Sequence, residues 1–191
     1  MSTIIFLLGI GSSGKSTISN ELMKLDKTFH VAGFDYAVFD LDKKYWPGGS
    51  HDHDGFFIEK AMTPDGEVSD LKSGPVGKNF LKKMLADMIH MADEGKNLII
   101  DTVPSDEEYQ QLLAAFSKHK VIHVGLKPPI QVVIDRENMR TDRRPGTAKA
   151  EYEKFYANKV FDIEIDTSKV PSHEAAQLVI ECISAKNKLR K

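Results

Sequence analysis

Gly9-Ile10-Gly11-Ser12-Ser13-Gly14-Lys15-Ser16, followed by Thr17, fits the pattern G-x-x-x-x-G-K-[ST], and its flanks fit as well. Upstream, Thr3-Ile4-Ile5-Phe6-Leu7-Leu8 is an unbroken apolar run, short enough for a buried parallel strand. Downstream, Ile18, Leu22 and Leu25 recur at helical spacing, so a helix starts near Gly14. Strand, glycine loop and helix start are the setting of a phosphate-binding loop. Its glycines let the backbone curl until several N–H groups face one anion, and the helix N-terminus adds partial positive charge there. Gly9, Gly11, Ser12, Ser13, Gly14, Lys15, Ser16 and Thr17 are therefore candidate nucleotide-binding residues. Lys15 would reach the β- and γ-phosphates of ATP, and the Ser16 hydroxyl would ligate Mg²⁺.

The 191 residues suffice for one domain with a sizeable core, and a hydrophobic fraction of 41% with 28% charged is that of a globular chain. A net charge of −2 supplies no basic field for nucleic acid. The basic end at Lys186, Lys188, Arg190 and Lys191 reads as a solvated helix tail. Cys182 is the only cysteine, so no intrachain disulfide can form. A reducing, cytoplasmic location is expected. No apolar run reaches membrane-spanning length, and the N-terminus passes straight into the first strand, which leaves no room for a signal segment.

Along the chain, Phe29 to Asp35 reads as a second strand ending in an acid. Ligands gather at the carboxyl ends of strands in open α/β sheets, which makes Asp35 a candidate general base for a substrate hydroxyl. The alternative is that Asp35 caps a helix. Asp40 and Asp42 read as exposed charges or secondary metal-side groups. Tyr45-Trp46 on the following turn would either cover a flat substrate or pack under the loop. His51-Asp52-His53-Asp54 has metal-ligand residue types, but alternate residues of an extended loop point opposite ways. Asp52-x-x-Gly55 matches a GTPase switch, yet no apolar strand precedes it and Asn158-Lys159 is followed by Val160-Phe161, so a switch GTPase is not expected. Phe56-Phe57-Ile58 and Glu67-Val68 around Thr63-Pro64-Asp65-Gly66 predict an inserted hairpin. A helix from Val76 to Asp93 carries Phe80, Met84, Met88 and Met91 as a core-type stripe and stops at Gly95.

Asn97-Leu98-Ile99-Ile100-Asp101 is an apolar strand ending in an acid. Asp101 would hold Mg²⁺ through a water, fix the loop serine, or cap a helix starting near Ser105. Val121 to Leu126 is a further buried-type strand with His123 as a satisfied sheet histidine. From Ile130 to Arg144, Arg136, Arg140, Arg143 and Arg144 share one helical face before Pro145-Gly146. Such a stripe suits a lid closing over phosphates, with Arg136, Arg140 and Arg143 as catalytic cations and Arg140 and Arg144 on the nucleotide. The bland alternative is a surface helix laced with salt bridges. Phe161 to Thr167 alternates apolar and acidic residues, as an outer strand does. Pro171 opens a last helix with Ala175, Leu178, Val179, Cys182 and Ile183 on its apolar side.

With these pieces in place the chain resembles the chloramphenicol phosphotransferase-like P-loop kinases. The likeness runs through the loop from Ser12 to Ser16, Gly33-Phe34-Asp35, the Asp65-Gly66 hairpin and Ile99-Ile100-Asp101-Thr102-Val103. It continues in Val124-Gly125, the lid Arg140-Thr141-Asp142-Arg143-Arg144-Pro145-Gly146-Thr147-Ala148, and Phe161 to Thr167. The resemblance implies a three-layer α/β sandwich of the nucleotide-kinase type: a five-stranded parallel sheet, a lid at about 136–149 and an acceptor-side insertion at about 36–73. It implies that Asp35 is the base in ATP- and Mg²⁺-dependent transfer of the γ-phosphate to a small-molecule hydroxyl. Tyr36 to Ile58 lies outside the likeness, so the acceptor stays open: antibiotic inactivation and ordinary metabolism use the same phosphate machinery. A nucleoside, nucleotide or metabolite kinase of the same fold, or a nucleotide-binding regulator without an acceptor, are the other readings. No nucleic acid or membrane partner is expected, and the sequence leaves the oligomeric state open.

Overall fold

The computed structural model of the chain describes residues 1–63, 66–139 and 147–188. The first strand, β1 (Thr3–Leu8), sits at the centre of a five-stranded sheet of order β2-β5-β1-β6-β7. Its partners are β5 (Asn97–Thr102) and β6 (Lys120–Leu126), both parallel to it. β2 (Phe29–Ala32) and β7 (Ile163–Ile165) form the two edges, also parallel to their neighbours. A strand sandwiched on both faces must be apolar at every position, and Ile4 to Leu8 are all fully buried.

Alternation along β1 sorts the helices into two layers. Ile5 and Leu7 face Ile18 and Leu22 of α1 (Lys15–Leu25) and Ala175, Ala176 and Val179 of α7 (Ser172–Lys188). Ile4, Phe6 and Leu8 face the other way, toward Met88 and Ala92 of α3 (Pro75–Asp93) and Leu112 of α4 (Asp106–Ala115). The same layer holds Val133 of α5 (Ile130–Asn138) and Tyr152 and Phe155 of α6 (Thr147–Tyr156). The expected three-layer sandwich is therefore the observed one. The inserted hairpin is also present, as β3 (Phe56–Thr63) paired antiparallel with β4 (Gly66–Ser73); its turn residues Pro64 and Asp65 lie outside the described residues.

Five elements depart from the reading of the sequence. β2 stops at Ala32, and Asp35 falls in the short helix α2 (Phe34–Ala37) rather than at a strand end. Gly33 causes this, because a Cβ there would stand 2.1 Å from the Asp101 carbonyl oxygen; only a bare Cα lets the chain turn so close to β5. α5 ends at Asn138, capped by Met139, and of the arginine stripe it carries Arg136. Arg140, Arg143 and Arg144 lie outside the described residues. Only Ile163–Ile165 of the late alternating stretch pair as strand. Leu178 is 38% exposed, because α7 turns Ala175, Ala176, Val179 and Ile183 inward instead. α6 was not anticipated from the sequence; its Tyr152, Phe155 and Tyr156 are buried.

Candidate active site

The glycine loop leaves β1 and turns into α1 through Gly14, whose φ of 100° is left-handed, after Ser12 at φ 61°. Left-handed positions alternating with right-handed ones make a concavity lined by N–H groups. No side chain caps α1, so the first-turn amides face the cleft in front of the loop. That cleft has a volume of about 570 Å³. Ser12, Gly14, Lys15, Ser16, Thr17, Asp35, Asp101 and Arg136 all line it, which brings together residues from four separate parts of the chain. Gly9, Gly11 and Ser13 do not line it. Gly9 is the loop's interior hinge: a Cβ there would meet Ser13 Oγ at 2.5 Å and the Leu126 carbonyl at 2.9 Å.

Lys15 is only 7% exposed, and its Nζ donates to the carbonyl oxygens of Gly9 at 2.9 Å and Ile10 at 3.1 Å. The Ser16 hydroxyl donates to Asp101 Oδ2 at 3.0 Å. Asp101 is 6% exposed and sits at the carboxyl end of β5, in register with Leu7 of β1. Register thus delivers this carboxylate to the loop, 85 residues away in sequence. Two hard oxygen donors side by side at the mouth of an amide nest are the donor type that Mg²⁺ takes from a protein when phosphate oxygens and water supply the rest. Asp35, in the first turn of α2, is exposed toward the same cleft.

A sequence profile described as chloramphenicol phosphotransferase-like protein matches residues 2–184. The chain belongs to that family. "Putative O-phosphotransferase Rv2636" of Mycobacterium tuberculosis is 26% identical over 186 residues, covering 95% of this chain and 82% of that protein. Among solved structures, the tunicamycin resistance protein of Deinococcus radiodurans superposes with a TM-score of 0.63 at 16% identity, over 96% of both chains. The APS kinase CysC of Mycobacterium tuberculosis gives 0.60 at 15% identity, over 96% of this chain and 98% of that one. Shikimate kinase of Acinetobacter baumannii gives 0.59 at 14%, over 97% and 95%. These likenesses establish a P-loop kinase fold, and the family makes the protein a phosphotransferase.

Within this chloramphenicol phosphotransferase-like fold, several site residues escaped the sequence. Tyr36 follows Asp35 and lies near the Ser16 side chain. Partial burial raises its phenol above the ordinary value, the Asp101 and Asp35 charges add to the rise, and the Ser16 side chain opposes it. Thr167 is a hub: its Oγ1 donates to the Ser13 carbonyl at 2.9 Å and accepts from Arg136 Nη1 at 2.9 Å. Arg136 Nη2 also donates to the Thr167 carbonyl at 2.8 Å. Arg136 therefore ties α5 to the glycine loop while lining the cleft. Tyr156 of α6 makes a second tie, donating from its hydroxyl to the Leu126 carbonyl at 2.5 Å and accepting from the Ile10 N–H at 3.4 Å. These ties span 30 to 154 residues, so no local pattern announces them.

Other candidates have structural employment. Asp42 accepts from the Lys44 N–H at 3.0 Å and caps a 3-10 turn (Lys43–Tyr45). Trp46 packs edge-on to Phe39 and donates to the Leu41 carbonyl at 3.0 Å, so it serves its own loop. The rings of His51 and His53 lie against Tyr45 and Phe57. Among the described residues no group of three or more His, Cys, Asp or Glu is placed to hold a metal. None of the described helices is long and apolar enough to cross a membrane. His123 packs between Phe6 and Tyr109, and its Nε2 has no hydrogen-bond partner among the described residues, so it is not fully satisfied as expected.

Proposed function

We propose that the protein is an ATP-dependent kinase that moves the γ-phosphate of ATP to a hydroxyl of a small-molecule acceptor. The observation that carries this reading is the convergence of Lys15, the Ser16–Asp101 pair and Asp35 on one cleft. Phosphoryl transfer asks little covalent chemistry of a protein; it asks for positioning and for charge where charge develops.

In this reading the amides of the loop and of the first turn of α1 hold the triphosphate. Lys15 gives its ammonium to the β- and γ-phosphate oxygens in exchange for the carbonyls of Gly9 and Ile10. Mg²⁺, held by the Ser16 hydroxyl and the Asp101 carboxylate, supplies charge neutralisation on the phosphates when bound. Asp35 accepts the proton of the acceptor alcohol as its oxygen bonds to the γ-phosphorus, and the bond from that phosphorus to the bridging oxygen breaks to leave ADP. Arg140, Arg143 and Arg144 are assigned to the migrating phosphoryl group, on the strength of the family's lid pattern in the sequence. Arg136 ties α5 to Thr167 and so to the loop.

The test is transfer from ATP labelled at the γ-phosphorus, with Mg²⁺ and a panel of small alcohols. The expected result is label in an organic phosphate ester, lost in Lys15→Ala. Label appearing only in inorganic phosphate, at one rate with every alcohol, would refute the kinase reading in favour of a nucleotide-binding regulator.

A further inference from the structure

A second cavity of about 430 Å³ lies between α2 and α3 beside the edge strand β2. Its size is that of a small-molecule site. Phe80, Met84, Met88 and Met91 of α3 form one wall, and Tyr36, Ala37 and Asp40 form the other. The methionine stripe packs in or against the core, as its spacing predicts, and also borders this cavity. Met88 is 4% exposed within the core, and the half-buried Met84 and Met91 pack against that core while all three border the cavity.

Three features make this a place for a ligand rather than a gap in packing. Phe80 is fixed at one end by edge-on contacts to Phe34 and Phe56, with ring centroids 6.5 and 6.1 Å away, so that wall is preset. Thioether side chains at Met84 and Met91 adapt their shape to an apolar body without loss of contact. Tyr36 is shared property: it lines this cavity while the Ser16 side chain of the phosphate cleft lies close enough to influence its phenol. Asp35 and Tyr36, consecutive on α2, thus open onto the two cavities, one onto each.

The charges select the ligand further. Lys83 and Asp87 also line the cavity, but they pair with each other at 3.1 Å. Asp40 pairs with no other described residue, so the wall carries one uncompensated negative charge.

We propose that this groove holds the body of the acceptor, and that the acceptor is an amphipathic amino alcohol. Its apolar part lies on Phe80, Met84 and Met91, its ammonium faces Asp40, and its hydroxyl passes Tyr36 to reach Asp35. The proposal rests on the phosphotransferase reading and names the substrate class for it. The step is the one written above: the alcohol oxygen gains the phosphoryl group, ADP leaves, and the proton goes to Asp35.

The probes are phenylalaninol and N-acetylphenylalaninol, which share a body and a hydroxyl and differ in the cation. The full chain is labelled at the methionine methyl groups, resonances are assigned by single Met→Leu substitutions, and each probe is titrated in the presence of Mg²⁺ and ADP. Phenylalaninol is expected to shift the Met84 and Met91 methyls while leaving Met139, in the phosphate cleft, unmoved. The acetylated probe is expected to bind about tenfold more weakly, and Asp40→Asn is expected to remove that preference. Silent Met84 and Met91 methyls, equal binding of the two probes, or a preference that survives Asp40→Asn would each overturn the proposal. Mass spectrometry after adding ATP separates the two levels. Phosphate on other alcohols but never on bound phenylalaninol overturns the acceptor assignment alone. Phosphate on no alcohol at all overturns the kinase reading beneath it.

Discussion

The two cavities that meet at α2 are built on opposite plans. On the phosphate side, backbone does the work: amides of the loop, a helix terminus, and the Asp101 carboxylate delivered by strand register. The residues behind it, Ile4 to Leu8 and Ile99, are fully buried, so the cleft inherits the stiffness of the sheet. On the side proposed for the acceptor, side chains do the work: methionines, one aromatic cluster and Asp40, which pairs with no other described residue, at the edge of the sheet. A site made of backbone suits a ligand common to a whole family, here the polyphosphate of the proposed reaction. A site made of adaptable side chains can change its ligand without disturbing the fold.

This contrast can be broken by experiment. The largest effect is expected at Lys15→Ala, which should lower the transfer rate about 10²- to 10³-fold. Met84→Leu, on the other side, should shift KM for the acceptor while leaving the kcat of a saturated enzyme within about twofold. Comparable kcat losses from both would mean that the acceptor wall is as rigid as the phosphate cleft.

Glycines offer a second comparison, in stability. Gly33→Ala forces a Cβ against the Asp101 carbonyl, which is backbone and cannot yield, so chemical denaturation should show a loss of about 3 kcal/mol. Gly48→Ala, in the acceptor-side loop, meets nothing within 4 Å and suffers only its left-handed φ of 84°, for a loss of about 1 kcal/mol. Tyr156→Phe comes next. It leaves the Leu126 carbonyl and the Ile10 N–H without the phenol, for about 1–2 kcal/mol, and should weaken binding of Mg²⁺-ATP by loosening the loop.

The smallest effect is a reference far from both cavities. Burial holds His123 below its usual value of 6.5, Lys186 pushes the same way, and Asp162 opposes them. A lowered folded-state value means that the unfolded chain takes the proton more readily. Stability is then full above about pH 6.5 and falls as the pH drops toward the folded-state value. His123→Gln should flatten the pH dependence of stability in that mildly acidic window, with no change in the pH profile of transfer. A matching change in that profile would place His123 in communication with the active site.

The same contrast explains what the sequence could reveal. The loop, β1, β5 and the carboxylate Asp101 were legible because each is a local pattern: a glycine spacing, an apolar run, an acid at a strand end. Asp35 was found as a candidate for the wrong local reason. It was expected at the end of a strand, whereas Gly33 ends β2 early and a turn of helix presents Asp35. Tyr36, Thr167 and Tyr156 were invisible because their partners, Ser16, Ser13 and Ile10, are close only after the sheet has formed. The methionines of α3 have one periodicity for two duties: Met84, Met88 and Met91 pack in or against the core, and the position of α2 leaves them bordering the groove as well.

The most direct measurement compares nucleotide binding and phosphate transfer in Asp35→Asn. If the carboxylate facing the cleft readies the alcohol, Mg²⁺-ATP should bind with unchanged affinity, while transfer to an acceptor found in the panel falls about 10³-fold. Transfer within a fewfold of the parent enzyme at the same affinity would contradict that role and leave the cleft a nucleotide site without its base.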